Sequence, residues 1–276
     1  MVARAAAAVV FLALAACAGR APGKARMPTV LLEDMTWPEA ERALTPDAIV
    51  VIPIGAASKE HGPHLRLAND WIMADALRRR LAERTPVVIA PIVGASFYPA
   101  FVEYPGSISL RLETARDVIV DTVRSLARHG PRRFYALNTG ISTIRALRPA
   151  AEILAAEGIA LHFTDLGKAL AAIEKQVGQQ EGGTHADEIE TSMMLYLAPD
   201  TVDMARAVKD YRPGTGPLTR NPDGPGVYSP TGSWGDPTLA TRDKGERVVR
   251  VLVDALVADV DALRAAPLPV PAAASP

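Results

Sequence analysis

The sequence predicts an α/β fold, a three-layer α/β/α sandwich around a mainly parallel central sheet. Two observations carry this. Short apolar β-type runs alternate with longer stretches whose apolar residues recur at helical spacing. The β-type runs are also almost wholly apolar, as strands are when helices cover both faces of a parallel sheet. Residues 28–264, roughly 235 in all, are enough for one domain with a large interior.

The elements follow in order. Ile49–Ile54 is the first strand, and Asp70–Ala82 a helix with Ile72, Ala76, Leu77 and Leu81 at helical spacing. Val87–Val93 is the second strand, then Thr114–Ala127 a helix through Val118, Val120, Val123 and Leu126. Phe134–Leu137 is the third strand, Thr143–Glu157 the third helix and Ala160–Phe163 the fourth strand. A helix from about Ala186 to Leu197 and a long one from about Gly245 to Arg264 close the domain. No internal repeat and no second domain are visible.

Residues 1–17 read as a lipoprotein signal peptide. Arg4 precedes an apolar run through Val9, Val10, Phe11, Leu12 and Leu14 that is too short to anchor a bilayer span. The run ends in Leu14-Ala15-Ala16-Cys17, which resembles a bacterial lipobox, and Cys17 is the sole cysteine of the 276 residues. The expectation is lipid on Cys17, a periplasmic protein that meets the membrane through that lipid only, and delivery to the outer membrane because Ala18 follows rather than an aspartate. Residues 18–27 form a Gly/Pro/basic tether, and 265–276 a Pro/Ala-rich disordered tail. The formal net charge of −1 becomes −2 once Arg4 leaves with the leader, and without a basic cluster this argues against nucleic acid as a partner.

In such a fold ligands bind outside the carboxyl ends of the strands. The loop after the first strand, Ser58–Asp70, holds two of the chain's five histidines, His61 and His64, together with Glu60 and Asp70, stiffened by Gly62 and Pro63. Neutral imidazoles and carboxylates on a stiff frame suit a divalent metal, although Asp70 also serves as a helix cap. In Gly182–Ser192, Thr184 and Asp187 resemble a capping box, so the helix is expected to begin at His185, at the positive end of its dipole. His185 is then a base or a ligand, with Glu188 on the same face at i, i+3 spacing. The plainer alternative is that Asp187, Glu188 and Glu190 only complement the dipole. The turn Asn138-Thr139-Gly140-Ile141-Ser142-Thr143 can present N–H groups and hydroxyls to a carbonyl or an anion, but it has no strong metal ligand. His129 and His162 read as structural.

Four motifs, in order, make the chain resemble the creatininase (creatinine amidohydrolase) family. Lys59-Glu60-His61-Gly62-Pro63-His64-Leu65-Arg66-Leu67-Ala68-Asn69-Asp70 is similar to the family's Glu-Gln-His-Gly-Pro-His-Leu-Pro-Leu-Gly-Thr-Asp. Tyr104–Leu110 is similar to its Phe-Pro-Gly-Thr-Ile-Ser-Leu, His185–Ser192 to its His-Ala-Gly-Glu-x-Glu-Thr-Ser, and Gly235–Glu246 to its closing motif. The resemblance runs from about Trp37 to Arg264. It implies a metal-dependent hydrolase of an amide or related C–N bond in a small-molecule substrate, with two divalent ions, zinc or manganese, flanking a water. It also implies a ring-like homo-oligomer. Carried over residue by residue, His61 and Asp70 stand at metal positions, Asp70 being the bridging one. His185 and Glu188 stand at catalytic positions, and His64, Asn138, Ser142 and Thr143 at the substrate end.

The departures are as informative. Lys59 aligns with the glutamate ligand and cannot ligate while protonated. The loop is one residue longer than usual, so a bulge can bring Glu60 into that place. Gly140 stands where the central motif has its histidine, Ser142 where the second ligand would be, and Phe101 replaces a further histidine. The expectation is an altered centre, down to a single ion. A non-catalytic periplasmic binding protein is the alternative, and metal-free hydrolysis by Ser142 and His185 the third reading, for which no nucleophile elbow is present.

Overall fold

The computed structural model describes residues 31–272, so the leader, Cys17 and the tether lie outside the described residues. A short helix α1 (Trp37–Ala43) leads in, opened by a Thr36/Glu39 capping box and Pro38. The central sheet comprises β1 (Ile49–Ile54), β2 (Val88–Ile89), β3 (Arg133–Asn138) and β4 (Ala160–Phe163), all parallel in the order β2-β1-β3-β4. All six residues of β1 are buried, because alternate side chains enter opposite cores. Val50, Ile52 and Ile54 pack with α3 (Leu112–Ala127) and α4 (Ile144–Ala155) through Ile119, Val123, Leu147 and Leu154. Ile49 and Val51 pack on the other face with α2 (Asn69–Ala82), α5 (Leu166–Val177), α6 (Glu188–Leu197) and α7 (Arg242–Ala265), through Leu77, Leu170, Met193 and Leu252. This is the three-layer sandwich that the apolar runs imply.

Three details differ from the sequence reading. The second strand shrinks to Val88–Ile89 because Pro91 has no N–H for the ladder, although Ala90 and Val93 still donate to the Val51 and Pro53 carbonyls. Helix α5 was not anticipated, yet Leu166, Leu170, Ile173 and Val177 recur at helical spacing and the Asp165 side chain caps it by accepting from Lys168 N. Helix α6 begins at Glu188 rather than His185, with Asp187 as its N-cap. The disordered tail expected from residue 265 is corrected as far as 272: Ala265 ends α7, and the chain then runs back over the α4–β4 connection, where Ala272 N donates to Ala156 O.

β1 and β3 run level, Ile49 opposite Arg133 and Ile54 opposite Asn138, so their carboxyl ends finish side by side. The strand order reverses direction between these two strands, and a crevice opens at such a switch point. The loops after β1 and β3 border it.

Candidate active site

The loop after β1 is fixed before any ligand is considered. Lys59 N donates to Leu67 O, Ile108 N to Ser58 O, and Gly62 takes a left-handed φ of 67°, where a side chain would also meet Ser233 Oγ and His64. These constraints aim the side chains of Lys59, Glu60, His61 and Asp70 inward, and all four are buried.

Helix α6 supplies the opposite wall. His185 precedes it by three residues, in an antiparallel bridge to Trp234: His185 N donates to Trp234 O and Trp234 N to His185 O. Gly183 has a φ of 103°, and a Cβ there would overlap Trp234 O, so this approach requires glycine. Ala186 takes a φ of 47°, a costly conformation for a residue with a Cβ. Its N–H donates to Glu190 Oε2, while Asn69 Nδ2 donates to Glu190 Oε1. The Glu190 carboxylate is thereby fixed between the two histidines.

The histidines are oriented by consecutive carbonyls of one loop. His61 Nδ1 lies 2.8 Å from Lys59 O, and His185 Nε2 3.0 Å from Glu60 O. A carbonyl only accepts, so each of these nitrogens donates, and the other nitrogen of each ring keeps its lone pair when the ring is neutral. His61 Nε2 then faces Asp70 Oδ1 at 3.1 Å and Glu190 Oε1 at 3.4 Å, and His185 Nδ1 faces Glu190 Oε2 at 3.8 Å. Burial and Lys59 depress the His61 pKa, but the Asp70 and Glu190 carboxylates outweigh them and leave it raised. A lone pair turned on carboxylates calls for a cation between them, whether a proton or a metal. The ligand atoms of His61, His185 and Glu190 lie within 4.8 Å of one another, a set that fits one ion.

Lys59 completes the charge pattern. Its ammonium is 2.7 Å from Asp70 Oδ2 and faces the rings of Tyr98 and Phe101, 5.3 and 4.7 Å from their centroids. Burial alone would raise the Asp70 pKa, but Lys59 and His61 overrule it and hold this carboxyl well below the usual range. Phe101 also lies against His185, with ring centroids 4.3 Å apart and the planes tilted by 41°. Glu60 turns toward His185 rather than Asp70, its Oε2 3.1 Å from His185 Nε2 and its Oε1 accepting from Gly62 N.

A cavity of about 540 Å³ opens from this cluster, bordered by Lys59, Asp70, His185 and Glu190 on the charged side. Asn138, Thr139, Gly140, Ile141 and Ser142 border it after β3, and Met73, Leu77, Leu166 and Leu170 give it an apolar depth. Asn138 Nδ2 donates to Gly140 O, which leaves Asn138 Oδ1 buried and without a hydrogen-bond partner among the described residues.

The structure brings together His61, Asp70, Glu60 and His185, and places Asn138 and Ser142 on the same cavity. It does not bring in three others. Glu188 is fully buried away from the cavity, accepting from Gln179 N and Gln180 N and pairing with Lys244. Thr143 spends its hydroxyl inside its own turn, on Gly140 O at 2.5 Å. His64 joins the loop to α6 through Thr191 Oγ1 at 2.8 Å, and burial pushes its pKa down to about 4. The sequence reading of the helix start explains the Glu188 error. With α6 beginning at Glu188, that residue points toward α7, while Glu190, two residues and about 200° further round, points into the site. Asp187 also lines the cavity and burial pushes its pKa up to about 7, yet both its oxygens accept hydrogen bonds, from Glu190 N and Gln180 Nε2, as an N-cap's do.

Comparison with known proteins identifies the family. The creatinine amidohydrolase (creatininase) family model matches residues 33–260. Creatinine amidohydrolase of Pseudomonas putida is 30% identical over 257 residues, which cover 86% of this chain and 96% of the relative. Mycofactocin precursor peptide peptidase of Mycobacterium tuberculosis is 31% identical over 218 residues, covering 74% of this chain and 81% of the relative. A solved creatininase superposes with a TM-score of 0.72 at 25% identity, covering 86% of this chain and 98% of that one. Among the other solved neighbours, a manganese creatininase has a TM-score of 0.70 at 27% identity and a mutant described as Zn-Zn type has 0.69 at 28%, each covering 85% of this chain and 97% of its own. The chain belongs to the creatininase family.

Proposed function

We propose that this member of the creatininase family is a metal-dependent hydrolase of an amide or related C–N bond, with an altered centre that holds one divalent ion, zinc or manganese, on His61, His185 and Glu190. One observation carries the reading: two imidazoles, oriented by the consecutive carbonyls of Lys59 and Glu60, turn their lone pairs toward one carboxylate. Backbone acceptors behind ligating histidines are the usual means of holding them ready for a metal. The ion supplies Lewis acidity toward an amide carbonyl and an acidified water.

The residues of this chain do the rest. Asn138 Oδ1, unpaired at the end of β3, accepts from a substrate N–H. The His185–Glu60 pair, 3.1 Å apart, holds a proton at Nε2 and keeps that ring oriented. The apolar depth beyond, Met73, Leu77, Leu166 and Leu170, takes an aliphatic or aromatic part of the substrate. Creatinine, small and polar, is a poor match to that depth.

The test is elemental analysis of the purified full-length protein after equilibration with zinc or manganese. About one equivalent per chain, lost in His61→Ala, supports the reading; less than about 0.1 equivalent refutes it. Gly140 and Ser142, which bring no imidazole or carboxylate to the cavity, favour the alternative of a non-catalytic binding protein at the same crevice. That alternative expects a ligand retained without turnover whether or not metal is present.

The same proposal places the protein in the periplasm, lipid-anchored through Cys17 to the outer membrane, with residues 1–17 as leader and 18–27 as tether. Among the described residues no helix is long and apolar enough to cross a membrane. Labelling with a fatty acid that is lost in Cys17→Ser tests the anchor. Light scattering on the detergent-solubilised protein tests the homo-oligomer.

A further inference from the structure

We propose that the Lys59 ammonium is a tethered second cation, taking permanently the place beside Asp70 that a second divalent ion would otherwise fill. The inference rests on the single-ion reading above and concerns the other half of the centre. Asp70 places one oxygen on each side: Oδ1 lies 3.1 Å from His61 Nε2, the ring nitrogen that also faces Glu190, and Oδ2 lies 2.7 Å from Lys59 Nζ. The carboxylate therefore stands between a candidate ligand histidine and a cation that the chain itself supplies.

Three further observations fit that assignment. Lys59 is only 4% exposed, and a buried ammonium survives only where anions and ring faces replace its water; Asp70, Tyr98 and Phe101 do so here. Lys59 also borders the cavity, so its charge reaches a substrate carbonyl. Finally, Gly140 on the same cavity has an ordinary extended φ of −130°, and an added Cβ would meet nothing nearer than Ser142 Oγ at 3.9 Å. A ligating side chain at 140 is thus not excluded by space. What excludes it is that its partner would be an ammonium, which has donors but no vacant coordination position. Lys59 can therefore polarise a carbonyl as a second ion does, but it cannot acidify a water by binding it.

The experiment counts zinc per chain, by equilibrium dialysis and elemental analysis, in three full-length proteins: wild type, Gly140→His, and Lys59→Glu with Gly140→His. The double variant is expected to hold one more zinc than wild type, and Gly140→His alone to hold the wild-type number. A gain in Gly140→His alone, two zincs in wild type, or no gain in the double variant overturns the proposal. Zinc absent from wild type but gained by the double variant refutes the single-ion reading and leaves this one standing; an equal, non-zero count in all three refutes only this one. If the double variant lacks a cooperative melt, Lys59→Ala gives the second readout. Methylammonium or zinc is expected to raise its melting temperature, and no rise with either overturns the proposal.

Discussion

The loops after β1 and β3 leave the same end of the sheet, side by side, and are built in opposite ways. After β1, Lys59, Glu60, His61 and Asp70 are all buried and each is engaged by another group of the centre. After β3, the turn closes on its own backbone and the Thr143 hydroxyl, and leaves Asn138 Oδ1 and the space beside Gly140 unused. The sheet makes the crevice, and of these two loops only the one after β1 brings charge to it. A β/α connection can therefore close on its own backbone and bring no charge to the crevice that it borders.

The largest test of this contrast is Asp70→Ala. It leaves the Lys59 ammonium buried without its anion, and about 3–5 kcal/mol of stability should be lost in urea unfolding; Lys59→Met with Asp70→Leu should restore most of that. A loss below about 1 kcal/mol would show that the pair does not hold the loop. Next comes Gly55, which directly follows β1. A Cβ at Gly55 would overlap the Asp70 carbonyl oxygen and lie 2.8 Å from Ala74 Cβ, so Gly55→Ala should destabilise by about 1–3 kcal/mol.

Smaller effects follow. Asn138→Ala should weaken binding of an amide ligand about tenfold, roughly 1.4 kcal/mol, with little change in melting temperature. His64 carries a pH signature. The unfolded chain takes up a proton near pH 6.5 while the buried ring resists it down to about pH 4, so stability should fall as pH drops through that window. His64→Gln should flatten the slope in urea titrations at pH 4.5 and 7. Smallest of all, Gly140→Ala should change stability by no more than about 0.5 kcal/mol, and a change as large as that of Gly55→Ala would dissolve the contrast between the two loops.

Much of the architecture was legible because β1, β3 and β4 are buried on both faces and their composition says so. The crevice was legible for the same reason, as was the cluster of His61, Asp70 and His185, whose motifs are unusual at any position. Helix α5 had a readable apolar spacing, but its Gly167 and its small, alanine-rich interior mask the signal. Glu190 was missed because Thr184 and Asp187 imitate a capping box, and the choice of cap decides which acid faces inward. Lys59 could be read as a ligand lost, but its pairing with Asp70 could not, because that contact depends on how the loop folds over Tyr98 and Phe101.

The start of α6 carries a consequence for variation in this segment. His185 is fixed by its bridge to Trp234, and Glu190 by its place on the helix that Asp187 begins. One residue inserted or deleted between them turns the carboxylate by about 100°, away from the histidines it joins. The register from 185 to 190 is therefore the rigid quantity, and homologues that exchange side chains freely there are expected to keep the count.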